Sequence, residues 1–132
     1  MYEIVNYNDL NEEEKVRCLN ELLKTSYGGN AKDIKNMKYE MDKSKDGCLP
    51  QFVFVRRKNK VVGYMFLIGE QMRSRIFPWY AVENADELPL ETDLRLLSYG
   101  VDLCSQSGCL KLADMLRMEI ENHKNGIGRK TV

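Results

Sequence analysis

The chain has no excess of charge of either sign and no long apolar run. Its 132 residues carry 20 basic and 20 acidic side chains, so no overall field attracts nucleic acid or an anionic membrane. No stretch approaches the roughly 18 apolar residues that a membrane-spanning helix requires. Glu12, Glu13 and Glu14 stand where a signal peptide would be apolar. These absences predict a cytoplasmic protein with no nucleic-acid and no membrane partner.

Metal ligands and disulfide patterns are also scarce. The cysteines form no C-x-x-C pair, and His123 is the only histidine, so the ligand spacing of a zinc site is missing. A reducing cytoplasm disfavours disulfides as well. We therefore expect no bound metal, and reduced thiols at all four cysteines, which are Cys18, Cys48, Cys104 and Cys109.

The length and composition fit a single domain over residues 1–132. Hydrophobic side chains make up 43% of the sequence, which is enough for one core, and a second full domain would not fit. No internal repeat or low-complexity segment divides the chain.

The first 50 residues predict one strand and two helices. Tyr2–Val5 is short and partly alternating, as in a strand. Asn11 is a helix cap, with Glu14 placed to reach back as in a capping box. The apolar stripe that follows ends at the glycine pair 28–29. Asn30 can begin a second helix, which the Asp46-Gly47 turn stops.

The middle of the chain predicts a long antiparallel hairpin and one more strand. Residues 52–55 and 61–68 are rich in aromatic and β-branched side chains and flank a charged turn at residues 57–60. Both strands are apolar at nearly every position, so we expect them to be central and covered on both faces. Residues 76–82 read as a further strand, since Pro78 is tolerated near strand ends and bulges.

The last third of the chain begins with a long helix. It is expected to run from Thr92 or Asp93 to Gln106 and to end at Ser107-Gly108. Residues 109–113 then predict a strand. Residues 115–124 alternate as a strand would, but they also fit a helix that ends at Gly126, and we favour the helix.

The resulting order of elements places the chain in the α/β (α+β) class and resembles the GNAT-type N-acetyltransferases over about the whole chain. Three segments carry the resemblance: residues 53–65 resemble the central hairpin with its V-G pair, Ser107–Leu112 the entry to the fifth strand, and Asn125–Ile127 the end of the last motif. The resemblance implies a mixed, mostly antiparallel central sheet flanked by helices on both faces.

The resemblance also implies where acetyl-CoA would bind as a cosubstrate. In the family, the fourth and fifth strands splay apart, and the pantetheine arm pairs with the main chain of the fourth. The pyrophosphate lies on amides at the start of the long helix. Here the loop at residues 88–93 lacks the family's glycines, Pro89 offers no amide hydrogen, and acidic side chains crowd the place. The cofactor-binding residues implied are Tyr80, Ala81, Val82, Thr92, Asp93 and Leu94.

Two residues are candidates for the chemistry of acetyl transfer. Asn122 stands where the family has the tyrosine whose hydroxyl protonates the leaving thiolate. His123, the next residue, could protonate that thiolate instead. Glu83, at the end of the fourth strand, could be the general base towards an amine. The alternatives are an exposed polar residue near a helix end for His123, and a solvated strand terminus for Glu83.

Three functions follow from this sequence. The first is an N-acyltransferase that moves an acetyl group from acetyl-CoA to a small-molecule or peptide amine. The second is a catalytically inactive binding or regulatory module of the same fold, and the third is an unrelated α+β binding domain. Only residues 127–132 follow Gly126, where the family has two closing strands, and an uncovered sheet edge predicts a homodimer.

Overall fold

The structure, a computed structural model, describes residues 1–22, 51–58, 60–72, 75–83 and 88–127. They form four strands and three helices, with a short 3₁₀ turn at Tyr7–Asp9. The predicted second helix from Asn30, and the first helix beyond residue 22, lie outside the described residues. The strands are β1 Tyr2–Asn6, β2 Gln51–Arg57, β3 Lys60–Met72 and β4 Arg75–Glu83, and the helices are α1 Glu12–Leu22, α2 Leu90–Gln106 and α3 Leu110–Lys124.

The four strands form one antiparallel sheet in the order β1-β2-β3-β4. The predicted central hairpin is confirmed: Arg57 pairs with Lys60 across its turn, and Phe54 lies opposite Tyr64. β3 extends beyond its predicted end at residue 68 and pairs antiparallel with β4, in which Arg75 lies opposite Met72. The predicted α+β class is therefore confirmed, with an antiparallel sheet.

Helix α1 is capped by the side chain of Asn11, as its sequence predicts, and is tied to the sheet by an arginine. The Asn11 side chain accepts a hydrogen bond from the amide of Glu14 at 2.8 Å. The carboxylate of Glu14 accepts from Arg56 on β2 at 3.3 Å, and Arg56 also binds Glu3 on β1. This guanidinium therefore links α1, β1 and β2 on one side of the sheet.

Alternate residues of β2 pack into two separate cores. Phe52 and Phe54 join Cys18 and Leu19 of α1 in the first core, whereas Val53 packs with α2 and α3 in the second. All residues from Gln51 to Val55 and from Gly63 to Leu67 are buried at the centre of the sheet. The second core consists of Val53, Val55, Met65, Leu67, Leu88, Leu96, Leu97, Cys104, Leu112, Ala113 and Leu116.

Residues 110–113 are helical and Cys109 is the cap residue before them, so the predicted fifth strand is wrong. Gly108 adopts φ +78° and ends α2 in a Schellman turn, in which the Cys109 amide donates to the Cys104 carbonyl at 2.8 Å and the Gly108 amide to the Ser105 carbonyl at 3.3 Å. The turn sends the chain straight into α3. There Leu112, Ala113 and Leu116 are buried together, because a spacing of three or four residues places them on one helix face. The helix favoured for residues 115–124 is confirmed.

Replacing Gly108 with alanine should destabilise the protein through its backbone alone. No described atom lies within 4 Å of the added Cβ, so the cost comes from the left-handed conformation and amounts to about 1–2 kcal/mol. Urea unfolding followed by circular dichroism measures this change. The matched control is Ser105→Ala in the exposed last turn of α2, expected within about 0.5 kcal/mol of the parent chain. Equal midpoints for the two variants would contradict the role of the turn.

Candidate functional site

The predicted cofactor strand lies at an edge of the described sheet. Tyr80, Ala81 and Val82 belong to β4, whose one strand neighbour among the described residues is β3. Pro78 lies in the same ladder without a register shift. Because proline has no N–H to donate, its position is one that faces away from β3, and the N–H groups of Tyr80 and Val82 face outward with it.

The opposite wall of the predicted cleft is a helix. The segment Cys109–Leu112 was expected as the splayed partner strand. Its residues 110–112 form the start of α3, and the amide of Ala113 donates to the carbonyl of the cap residue Cys109 at 3.1 Å. A helix satisfies its main-chain groups internally, whereas a splayed strand leaves them open. These segments therefore do not form a gap between two strands.

The start of α2 separates the other predicted cofactor residues. The helix begins at Leu90 with Pro89 at the cap position and no side-chain cap, and Glu91 and Asp93 lie in its first turn. Thr92 and Asp93 are buried in the protein, but Leu94 faces an open groove. The three residues thus do not meet around one ligand position.

His123 and Asp93 form a buried pair that joins the two ends of the α2–α3 hairpin. Nδ1 of His123 lies 2.7 Å from Oδ2 of Asp93, and Nε2 lies 2.8 Å from Oε1 of Glu119 on the preceding turn of α3. Asp93 is 0% exposed and His123 is 6% exposed. Each ring nitrogen therefore lies within hydrogen-bond distance of a carboxylate oxygen.

This arrangement leaves His123 with little means of protonating a substrate. A general acid must come within hydrogen-bond reach of the substrate atom, either directly or through one water. Both ring nitrogens of His123 already contact carboxylates, and almost none of the side chain reaches the surface. The ring therefore acts as a link between α2 and α3.

The other candidate for the chemistry, Glu83, is the last residue of β4 and lies opposite Tyr64 of β3.

An open groove lies beside α2, where sequence reasoning placed no site. Its volume is about 570 Å³, and Ile4 of β1 forms its side opposite the helix. The helix contributes residues 91, 95, 98 and 102 at helical spacing, a polar stripe that was visible in the sequence. The lining residues are Ile4, Glu91, Leu94, Arg95, Ser98, Tyr99 and Asp102.

A polar cluster stands next to this groove at the end of β1. Asn6 and Gln51 are both buried, and the Asn6 side chain donates to Oε1 of Gln51 at 3.1 Å and accepts from the Asn8 amide at 2.9 Å. Burial raises the pKa of the Tyr99 phenol, the Asp9 carboxylate raises it further, and a hydrogen bond with Asn6 offsets part of the rise. Tyr99 therefore stays a neutral hydroxyl between the groove and the cluster.

Neither a metal cluster nor a membrane span is found in the described part of the chain. No three side chains of the ligand-forming types come together there, and none of its helices combines the length and apolar character that crossing a membrane requires. In comparisons with known proteins, no family model, no curated protein and no solved structure matches this chain.

Replacing His123 with alanine should weaken the fold strongly. The change leaves the fully buried Asp93 carboxylate without its imidazole partner, and we expect the free energy of unfolding to fall by about 3 kcal/mol. Glu119→Ala removes the other, more exposed carboxylate and should cost about 0–1 kcal/mol. Urea titrations of both variants test the difference. A His123→Ala chain as stable as Glu119→Ala would show that the pair is not structural.

Proposed function

We propose that this chain is a noncatalytic binding or regulatory module of the cytoplasm, built on a GNAT-like order of elements. The burial of His123 between Asp93 and Glu119 carries the proposal, because it commits the candidate acid to holding α2 against α3. A helix also stands where the acetyl-CoA cleft would need a second strand. Both differences from the GNAT arrangement fall at positions expected to serve acetyl transfer, and the two hydrophobic cores are intact. We expect this of a fold that serves binding rather than catalysis.

The likeness to the GNAT arrangement is supported as far as α2. The antiparallel order β1-β2-β3-β4, with a long helix after the fourth strand, agrees with the implied order of elements. Alternate residues of β2 meet α1 in one core and α2 with α3 in the other, as helices on both faces would require. After Gly108 the chain departs from the pattern, because α3 replaces the fifth strand.

The second candidate function is an N-acyltransferase that uses acetyl-CoA and an amine acceptor. The observation in its favour is the outer edge of β4, where the N–H groups of Tyr80 and Val82 are directed away from β3. An amide of the pantetheine arm could pair with these N–H groups along the outer edge of β4, which would form one side of the binding site. Glu83, the next residue, would then be the base that accepts the proton of the amine.

Titration with acetyl-CoA separates the two functions. For a noncatalytic module we expect no binding heat and no thermal shift with millimolar acetyl-CoA or CoA, because the outer edge of β4 offers one wall and the start of α2 is acidic. Saturable binding with acetyl transfer to an amine would overturn the proposal. In that case Glu83→Gln should abolish transfer, and Glu13→Gln, an exposed carboxylate on α1, should leave it unchanged.

The proposed partner of the module is a second copy of this chain. β4 ends the described sheet on one side, and outward N–H groups at an edge favour pairing with another strand. A two-fold axis beside β4 would join two identical edges in antiparallel fashion and complete both.

Light scattering tests this pairing. We expect twice the chain mass for the parent protein and the mass of one chain for Val82→Pro, which removes an outward donor and spares the β3–β4 ladder. Ala81→Pro is the matched contrast, because it removes a donor that faces β3 and should weaken the fold itself. A parent chain that stays monomeric at high concentration would exclude the dimer.

A further inference from the structure

Two cysteines occupy the two contacting positions of the Schellman turn after α2. In this motif the residue three places before the end of the helix and the second residue beyond it commonly touch through their side chains. Here those residues are Cys104 and Cys109, whose main chains are already joined by a 2.8 Å hydrogen bond. Gly108, with φ +78°, fixes the geometry between them.

The surroundings of the two thiols differ in a way that suits stepwise chemistry. Cys104 is 0% exposed within the second core, whereas Cys109 packs against the same core and remains partly exposed. Burial and the neighbouring Cys109 raise the pKa of the Cys104 thiol to about 11. The electrostatic influence of Cys109 on Cys104 agrees with their proximity in the turn.

We propose that Cys104 and Cys109 form a site of reversible oxidation, closed as an intramolecular disulfide by low-molecular-weight disulfides such as oxidised glutathione. The four-residue spacing C-S-Q-S-G-C falls outside the C-x-x-C pattern, and the turn geometry brings the two residues together. The thiols are free in the reduced protein.

The reaction is two successive thiol–disulfide exchanges. The thiolate of Cys109 attacks one sulfur of oxidised glutathione, forms a mixed disulfide and releases one glutathione thiolate, which takes up a proton. Cys104 then loses its proton and attacks the Cys109 sulfur, which releases the second glutathione. Two protein thiols are oxidised by two electrons, and one glutathione disulfide is reduced to two thiols.

Cys18 provides an internal comparison. It is buried at 2% exposure in the other core, beside Arg56, and burial raises the pKa of its thiol. Cys18 belongs to the first core and Cys104 and Cys109 to the second, so the sheet separates them. Oxidation by a small disulfide should therefore spare Cys18 while it closes the turn.

Peptide mapping of the full-length chain tests the proposal. Trypsin releases both cysteines in one peptide, residues 96–111. After treatment with oxidised glutathione, an acid quench and alkylation, we expect this peptide to have lost two hydrogens and to carry no alkyl group. In the untreated protein it should carry two. Ring closure should accelerate as the pH is raised, because Cys104 must be deprotonated.

Three variants distinguish ring closure from simple glutathionylation. Cys104→Ser should stop at the mixed disulfide on Cys109, and Cys109→Ser should leave Cys104 reduced because of its burial. Cys18→Ser is the matched control and should close the ring as the parent chain does. The proposal is overturned if the parent chain keeps glutathione on Cys109, or if its peptide still carries two alkyl groups after oxidation.

Discussion

The close packing of α2 on β3 is the contact on which the rest of this structure depends. A Cβ at Gly100 would lie 2.7 Å from Cε of Met65 and 3.1 Å from Cδ1 of Leu116, so glycine lets the helix approach this near without displacing the ends of these side chains. Met65, Leu116 and the residues around them are fully buried in the second core. This approach places α2 where α3 can pack beside it, and the whole α2–α3 hairpin covers one face of β2 and β3. The cost of glycine within a helix, about 1 kcal/mol, is offset by that burial.

Elements with strong local signals could be predicted from the sequence. The central hairpin follows from two apolar runs on either side of a charged turn, and the start of α1 follows from Asn11, whose side chain caps the helix. These features depend on residues that are near one another in the chain, so tertiary structure did not override them.

The prediction of a fifth strand was wrong because a short apolar segment fits both a strand and a helix. Residues 109–113 form a short, mostly apolar segment, which suits a strand, yet Leu112, Ala113 and Leu116 also share a helical face. Gly108 determines that these residues form a helix, because its Schellman turn folds α3 back along α2. For the same reason the His123–Asp93 pair could not be foreseen: the two residues are 30 positions apart, and only the antiparallel hairpin brings them within 2.7 Å.

A helix stands where the resemblance to the GNAT-type acetyltransferases implies a fifth strand, and this difference affects what this end of the molecule could bind. A thioester arm that lies between two splayed strands can exchange main-chain hydrogen bonds with one of them while the other shields it from water. In α3 those groups are consumed within the helix, so α3 can contribute side chains but no open ladder. On this side of the described sheet, the outward main-chain donors are those on the outer edge of β4. A single extended edge selects another extended chain more readily than a cofactor, because a strand can pair at every second residue along it. Under the proposed function, the same hairpin that buries His123 therefore leaves the edge of β4, rather than a cleft between two strands, as the binding surface of the sheet.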